Sequence, residues 1–379
     1  MSIRFGFVST YPPTHCGIAT FSNSLMSAIR DLGLHTTSVV RLVDEGANET
    51  ERSVSPEILR TLHAGNSESL ASVVAALNAM DIAVIQHEFG IYGGVDGDEV
   101  LEIIKGLRIP SIVVVHTVLI TPTWHQRIVF TQLTRSASAV VTMSNTARDL
   151  LVSKYSVEPS KIFVLPHGAP AFPDVKAEDL ASRRPLILTW GLIGGGKGIE
   201  WGIEAMDRLR DLDPAPRYLV AGRTHPKVLE HEGEAYRESL RRRIEKLNLT
   251  DVVELNANYL SDGELAVLVA SASVVLLPYD STEQMTSGVL IEAVTAGLPV
   301  VATKFPNAIE LLADGVGIVV PHHDPDAIAL ALRTILQDSA VAAAFSARAK
   351  EIGSEFLWPS VAARYVKLAR ALIRAEAAA

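Results

Sequence analysis

Short runs of Val, Ile and Leu alternate with longer segments of helical period along most of this 379-residue chain. Runs that are apolar throughout are typical of parallel strands covered on both faces, and the helical segments between them supply the covers. The alternation stops after residue 165 and resumes at residue 186. The pattern therefore predicts an α/β protein with two doubly wound, Rossmann-like domains.

The predicted strands fall into two sets. In the first half they are Ile3–Ser9, Thr36–Leu42, Ile82–Gln86, Ser111–Val115, Ala139–Thr142 and Ile162–Leu165. In the second half they are Leu186–Trp190, Tyr218–Ala221, Val252–Leu255, Val274–Leu277, Pro299–Ala302 and Gly317–Val320. The stretch from Val43 to Ser67 follows no recognisable pattern.

The predicted domain boundaries follow from a break in the pattern. Residues 166–185 hold four prolines and no apolar period, which is typical of a linker. We expect an N-terminal domain at 1–168, a linker at 169–185, a C-terminal domain at 186–355 and a terminal helix within 356–379. That helix has one apolar face, so it needs a partner.

Composition limits the class of protein. With 34 Lys and Arg against 43 Asp and Glu, the net charge of −9 argues against a general nucleic-acid binder. The only cysteine, Cys16, excludes an internal disulfide and suits a reducing compartment. The chain opens with the strand-like IRFGFVS and its apolar runs are far shorter than a membrane span. We expect a cytoplasmic protein and leave peripheral contact with a membrane open.

The segment EQMTSGVLIEAVTAGLPVVAT, residues 283–303, has the features of an anion site. If Ser287 is an N-cap, the amides of Gly288, Val289 and Leu290 point out of the helix end, where the helix dipole favours negative charge. Phosphate binds well at such an end, and Glu292 one turn further on is placed to accept from a ribose diol. A nucleoside diphosphate satisfies both features. The alternative is an ordinary capped helix.

A glycine loop, GLIGGGKG at residues 191–198, follows a predicted strand. It nearly matches a P-loop, but Gly198 stands where a Ser or Thr should hold magnesium, so a Walker ATPase is disfavoured. No acid for a ribose follows the next strand, although Arg223 leaves an NADP site open. The remaining interpretation is a turn at Gly196 that brings Lys197 to a phosphate. A plain turn with a solvated lysine is the alternative.

A second loop, STYPPTHCGIATF at residues 9–21, places Gly17 at the start of a helix after the first strand. Its backbone is open to a diphosphate in the same way. Cys16 lacks an evident base, so we expect a small packed residue rather than a nucleophile.

In this order the motifs resemble the retaining glycosyltransferases of family four. The resemblance covers nearly the whole chain and rests on the loop ending at Gly17, QHEFGIYGG at 86–94, VVVHT at 113–117, VTMSNTARDLL at 141–151, VLPHG at 164–168, GLIGGGKG and SGVLIEAVTAGLPVVAT. It implies the GT-B fold, two facing Rossmann-like domains with a C-terminal helix that crosses back to the first. It also implies transfer of a hexose from a UDP- or GDP-linked donor to a carbohydrate or lipid-linked acceptor, with retention and without a cofactor.

The resemblance also implies roles for individual residues. Lys197 resembles the lysine that binds the donor diphosphate, Glu292 the glutamate that holds the ribose, and His116 the histidine near the donor sugar. The residues implied to contact the donor are Gly17, Gly196, Ser287, Gly288, Val289 and Leu290, with Tyr259 and Leu260 in the segment 256–262 that would clasp the base. On the acceptor side we expect His87, Glu88 and Ser144, with Asn145, His167 and His225 as weaker candidates.

Two positions depart from the family pattern. Where the family has a first glutamate that touches the donor sugar, this chain has Gln284, a neutral amide that can bond a hydroxyl but cannot balance a developing positive charge. Where the family has an arginine in the glycine loop, this chain has Leu192, and our hypothesis is that Arg223 supplies the charge.

We expect no metal dependence. The Asp96-Gly97-Asp98 motif has the form of a metal-nucleotide site, but it precedes a predicted helix at Glu99–Leu107 and helix capping explains it. His322-His323-Asp324 has no further ligand nearby to complete a tetrahedral site.

Other functions remain open at this stage. A nucleotide-sugar 2-epimerase would share the fold but perform an elimination, and Gln284 makes a non-catalytic nucleotide-sugar-binding protein conceivable. The base, the sugar, the acceptor and the oligomeric state do not follow from the sequence.

Overall fold

The structure is a computed structural model that describes residues 2–43, 55–173, 184–258 and 260–378. Contacts divide the chain into two units. The first comprises Met1–Gly168 together with Trp358–Ala379, and the second comprises Ala169–Leu357.

Within its described residues, the first unit contains a parallel seven-stranded sheet of order β3-β2-β1-β4-β5-β6-β7. Its strands are β1 (Arg4–Ser9), β2 (Thr36–Val43), β3 (Ile58–His63), β4 (Ile82–His87), β5 (Ser111–Val115), β6 (Ala139–Thr142) and β7 (Ile162–Val164). Its helices are α1 (Gly17–Asp31), α2 (Ser67–Leu77), α3 (Val100–Gly106), α4 (Trp124–Ser136) and α5 (Asn145–Tyr155), with 3₁₀ turns at Val95–Gly97 and Pro159–Lys161.

The described part of the second unit contains a parallel six-stranded sheet of order β10-β9-β8-β11-β12-β13. Its strands are β8 (Leu186–Trp190), β9 (Arg217–Ala221), β10 (Val253–Asn256), β11 (Val274–Leu277), β12 (Val300–Thr303) and β13 (Gly317–Val320). Its helices are α6 (Ile199–Asp207), α7 (Pro226–Glu232), α8 (Ala235–Lys246), α9 (Asp262–Ala270), α10 (Gly288–Thr295), α11 (Pro306–Leu312), α12 (Pro325–Gln337) and α13 (Ser339–Gly353), followed by a 3₁₀ turn at Ser354–Phe356.

The terminal helix, α14 (Trp358–Glu376), belongs to the first unit, where it packs against α1. Its buried side chains include Val361, Tyr365 and Leu368, and they join the core formed by β1 and α1. The apolar face read from the sequence therefore has its partner in the first unit.

The predicted strands are confirmed to within a residue or two at each end, and the α/β fold with two doubly wound sheets is confirmed. Strand β3 was missed, because the sequence from residue 43 to 67 shows no period. It lies at the sheet edge and only Leu62 among its residues is buried. Such a strand carries little hydrophobic pattern. Of the predicted unpatterned stretch, residues 44–54 lie outside the described part of the chain.

Candidate functional site

The glycine loop lies at the point where the strand order of the second sheet reverses. It follows β8, and Pro278–Asp280 follows β11, the strand on the other side of this switch point. The Asp280 N–H donates to the Gly196 carbonyl at 2.9 Å. A Cβ on Gly198 would lie 1.9 Å from the Pro278 carbonyl oxygen, so only glycine fits there. Ligands of open α/β sheets bind at this kind of position.

Lys197 is held over an aromatic ring. Its Nζ lies 4.3 Å from the centroid of Tyr279, a side chain that is itself buried. The preceding Gly196 has a φ of +80°, a conformation that favours glycine. Among the described residues no atom lies within 4 Å of a Cβ built at Gly196, so packing leaves that backbone open. The structure thus places a cation beside an accessible glycine backbone at the switch point.

Helix α10 begins as predicted, with Ser287 as its N-cap. The Ser287 Oγ accepts from the Leu290 N–H at 3.3 Å. The prediction that Leu290 offers its amide to a ligand is therefore wrong, because the cap already uses it. The first two amides, those of Gly288 and Val289, remain as the outward donors of the helix end. Asn307, which the sequence did not mark, fixes the cap by accepting from the Ser287 N–H at 2.9 Å.

Glu292 is oriented by a residue that sequence reasoning missed. The indole Nε1 of Trp190, the last residue of β8, donates to Glu292 Oε2 at 2.9 Å. Burial raises the pKa of Glu292 to about 7, the Trp190 hydrogen bond opposes this shift, and the charge of Asp262 adds to it. A strand-end tryptophan has a donor that must find a partner when buried, and this was the available signal.

The turn after β9 runs beside the glycine loop. The Ile193 N–H donates to the Arg223 carbonyl at 2.8 Å and the His225 N–H donates to the Ile193 carbonyl at 2.7 Å. Arg223 is therefore next to Leu192 in space, as the hypothesis requires, with a half-buried side chain. His225 caps α7 through its Nδ1, and its pKa is lowered by burial and by the charges of Lys227 and Lys197.

A second arginine near this turn was not expected. Arg237 on α8 is only 2% exposed and its Nη2 donates to the Gly222 carbonyl at 2.6 Å. Its Nε donates to Glu234 at 3.3 Å. Arg237 therefore braces the turn that carries Arg223, a contact that spans two elements and has no local sequence signal.

The remaining second-unit candidates have local partners. Gln284 Nε2 donates to the Thr286 carbonyl at 3.2 Å, so this amide bonds its own loop. Leu260 packs against the core formed by β8, β11 and α10. Tyr259 lies outside the described residues.

In the first unit, Gly17 is the first residue of α1 and Cys16 is its N-cap. The Cys16 Sγ accepts from the Ala19 N–H at 3.4 Å and lies 3.1 Å from the Thr10 hydroxyl, so the cysteine has a structural role. No described atom lies within 4 Å of a Cβ placed on Gly17. Packing alone does not require glycine at this position.

Three histidines at the carboxyl end of the first sheet are kept neutral. Burial is the main reason that the pKa is lowered to about 3 for His87 and His116 and to about 4 for His167. The rings of His116 and His167 both pack edge-on against Phe21 at 5.0 Å. His116 Nε2 donates to Gln86 Oε1 at 2.7 Å, which leaves Nδ1 as an acceptor.

The acceptor-side candidates are mostly occupied by structural contacts. His87 is 1% exposed and packs between Phe89 and Phe130 at ring distances of 4.9 and 5.3 Å. Glu88 accepts from the Gly90 N–H at 2.8 Å, and Ser144 is the N-cap of α5. Asn145 is the first residue of that helix.

The Asp96-Gly97-Asp98 motif has a different explanation from the predicted one. The N-cap of α3 is Glu99, and neither aspartate caps the helix, so the capping interpretation is wrong. Asp96 instead lies 3.0 Å from His125 Nδ1 on α4, a partner that the sequence places 29 positions away. Within the described ranges no group of three or more His, Cys, Asp or Glu side chains has the arrangement of a metal site.

Two family models match this chain. Residues 17–171 match Glycosyltransferase Family 4, and residues 172–352 match Glycosyl transferases group 1. Together they span both units, and the chain belongs to the family-four glycosyltransferases.

The relatives of this chain are similar to it over only part of their length. The D-inositol 3-phosphate glycosyltransferase of Kineococcus radiotolerans is 28% identical over 65% of this chain and 60% of its own length. The phosphatidyl-myo-inositol mannosyltransferase of Mycolicibacterium smegmatis is 36% identical over 28% of each chain. The chain therefore spans less than two thirds of the length of these relatives.

The fold has close structural neighbours. The HepE protein of Anabaena, solved with UDP and glucose, has a TM-score of 0.76 at 17% identity, over 98% of this chain and 100% of that chain. This likeness shows a shared GT-B fold. No single helix among the described residues is long and apolar enough to span a membrane, while the pair Pro325–Gln337 and Ser339–Phe356, bent by 93°, passes the same test of length and composition.

Proposed function

We propose that the protein is a retaining hexosyltransferase that moves a hexose from a nucleoside-diphosphate sugar to a carbohydrate or lipid-linked acceptor. The proposal rests on one observation. Lys197, the glycine loop and the capped end of α10 all follow the two strands between which the strand order of the second sheet reverses, and each offers a positively polarised group to a phosphate. Membership of the family supports it.

The donor diphosphate is proposed to bind Lys197 and the amides of Gly288 and Val289. Loss of the diphosphate leaves positive charge on the anomeric carbon, so stabilising the leaving group is the main catalytic task. A cation and a helix end supply that stabilisation without a metal, and we propose a metal-independent reaction with no cofactor. Glu292, held by Trp190, would accept from the ribose hydroxyls.

The chemical step is proposed to proceed with same-side attack by the acceptor hydroxyl. The bond between the anomeric carbon and the diphosphate oxygen breaks, the new glycosidic bond forms, and the departing phosphate oxygen takes the acceptor proton. His116, neutral and with Nδ1 as an acceptor, suits a contact to a sugar hydroxyl rather than an acid role. No nucleophile from the protein is needed.

For the acceptor, the names of the inositol phosphate glycosyltransferase and the phosphatidyl-myo-inositol mannosyltransferase support a ring polyol or sugar, either free or lipid-linked. The HepE complex supports a UDP-linked donor among the candidates. A cytoplasmic site with peripheral membrane contact remains part of the proposal.

The test is a binding and turnover series in chelator. Thermal shift with UDP, GDP and ADP, alone and as hexose conjugates, should identify one stabilising base, and the matching conjugate should be slowly hydrolysed or transferred to an inositol phosphate. Lys197→Ala should weaken binding of that nucleotide, whereas the exposed Lys246→Ala should not. Epimerised donor without acceptor, or strict dependence on manganese, would contradict the proposal.

A further inference from the structure

The loop between β13 and α12 contains a residue in an unfavourable backbone conformation. His323 has a φ of +57°, a left-handed conformation that glycine adopts readily and that histidine adopts at some cost. Its neighbour Asp324 is explained as the N-cap of α12, accepting from the Ala327 N–H at 2.9 Å. Nothing local explains His323. Such an outlier is a reason to ask what its side chain does.

The His323 side chain reaches the switch point of the second sheet. Its Nε2 lies 3.0 Å from Oδ1 of Asp280, which follows β11. The same oxygen accepts from the indole Nε1 of Trp201, on α6, at 3.0 Å. The rings of Trp201 and His323 lie 5.1 Å apart. Asp280 is thus held from two elements that are more than a hundred residues apart in sequence.

Asp280 in turn contacts the proposed phosphate loop. Its N–H donates to the Gly196 carbonyl at 2.9 Å, and the adjacent Tyr279 ring lies under Lys197 Nζ. The Tyr279 carbonyl accepts from His322 Nδ1 at 2.8 Å and from the Thr303 hydroxyl at 2.5 Å. The β13–α12 loop therefore contacts both Tyr279 and Asp280.

We propose that His323 is a positioning residue for the donor diphosphate, acting through Asp280 on Gly196 and Lys197. It fixes the Asp280 carboxylate, which keeps the Asp280 amide on the glycine loop and the Tyr279 ring beneath the lysine. The identity of the ligand, a nucleoside diphosphate, rests on the proposed function, whereas the positioning of Asp280 by His323 does not. The role gives a physical reason for histidine at a position where the backbone favours glycine.

The test separates the effect of relaxing the strained backbone at His323 from the effect of losing its imidazole. His323→Gly removes the imidazole and relaxes the left-handed residue, so the unfolding free energy should stay equal or rise. Hydrogen exchange at the Asp280 amide of the unliganded protein should nevertheless become faster. Affinity for UDP or GDP, whichever the wild type binds, should fall roughly tenfold, because a small displacement of a charged loop is costly for ligand geometry.

Two further variants sharpen the result. His323→Gln keeps a side-chain N–H donor of similar reach and should restore most of the exchange protection and affinity. Ser156→Gly, at another exposed residue with a φ of +53°, is the matched control and should change neither measurement. Wild-type exchange and affinity in His323→Gly would overturn the inference. If no nucleotide binds the wild type, the proposed function fails, and exchange at Asp280 still decides the positioning role.

Discussion

Glu292 is the residue whose chemistry depends most on its surroundings. Its half-buried carboxyl accepts from the Trp190 indole N–H, and desolvation raises its pKa from an ordinary value near 4.5 to about 7. Near neutral pH the unliganded protein is therefore a mixture of molecules with a protonated and with an ionised Glu292 carboxyl. In the proposed complex a ribose diol donates hydrogen bonds to the carboxylate, so we expect nucleotide binding to favour the charged form.

The raised pKa sets a pH dependence of stability. The folded state binds more protons than the unfolded state between pH 4.5 and 7, so the unfolding free energy falls as the pH rises through that window and is constant above it. The total loss is roughly 3 kcal/mol for a shift of this size. We predict that Glu292→Gln lacks this loss, so that it becomes more stable relative to wild type from pH 5 to pH 8 in denaturant titrations.

The same variant should bind the donor nucleotide more weakly, since an amide accepts less strongly than a carboxylate. Glu245→Gln, an exposed acid in the same unit, is the control and should leave both the pH profile and nucleotide affinity unchanged. A Glu292→Gln protein with the pH profile of the wild type would show that the Glu292 pKa is ordinary.

The sequence predicted which residues belong to the site only where those residues stand in a local motif. Lys197 and Ser287 stand in recognisable loops, whereas Trp190, Asn307 and Arg237 act through contacts with distant elements. A tryptophan at the end of a buried strand indicates from sequence alone that its N–H needs a partner, but only the tertiary structure shows that the partner is Glu292.

At the scale of the element, helix α10 combines a stability role with the ligand role proposed for its N-terminal end. Ser287 satisfies the Leu290 amide, which fixes the direction of the first turn, and the preceding amides then point outward. The helix end and the glycine loop both follow the carboxyl ends of neighbouring strands, which places donor groups on one edge of the sheet.

Removal of this cap should affect both roles. We predict that Ser287→Ala lowers the unfolding free energy by about 1 kcal/mol and also weakens nucleotide binding, because the amides of Gly288 and Val289 lose their fixed direction. Asp338→Ala removes the N-cap of α13 in the same unit and is the matched control. Equal loss of nucleotide affinity in both variants would show that the effect is general destabilisation.

At the scale of the whole molecule, the first unit is built from two distant parts of the chain. Helix α14 supplies buried side chains, among them Val361, Tyr365 and Leu368, to a core whose members outside this helix come from the first 165 residues. Gly168 permits this arrangement, because a Cβ at that position would lie 2.1 Å from the Trp358 ring.

Shortening a buried side chain of α14 should therefore destabilise the first unit. We predict that Leu368→Ala lowers its unfolding free energy by about 2–5 kcal/mol, the usual range for a buried leucine, as measured by hydrogen exchange of β1 and α1. Lys367→Ala, the exposed neighbour on the same helix, should have little effect. If Leu368→Ala leaves exchange in β1 unchanged, α14 does not support that core.

The amino-acid sequence by itself determined the features that depend on near neighbours. Strand positions, the helix α10 cap and the glycine loop follow from apolar period, capping chemistry and backbone freedom, each of which acts over a few residues. Family motifs then placed the chain among known glycosyltransferases.

Tertiary structure decided the contacts that depend on strand order. Trp190 meets Glu292 across 102 positions because β8 and β11 are neighbours in the sheet, and His323 meets Asp280 because their two loops end at the same edge. The free energy of such contacts depends on which strands and helices lie side by side. The local pattern of apolar and polar residues does not specify the order of strands in a sheet.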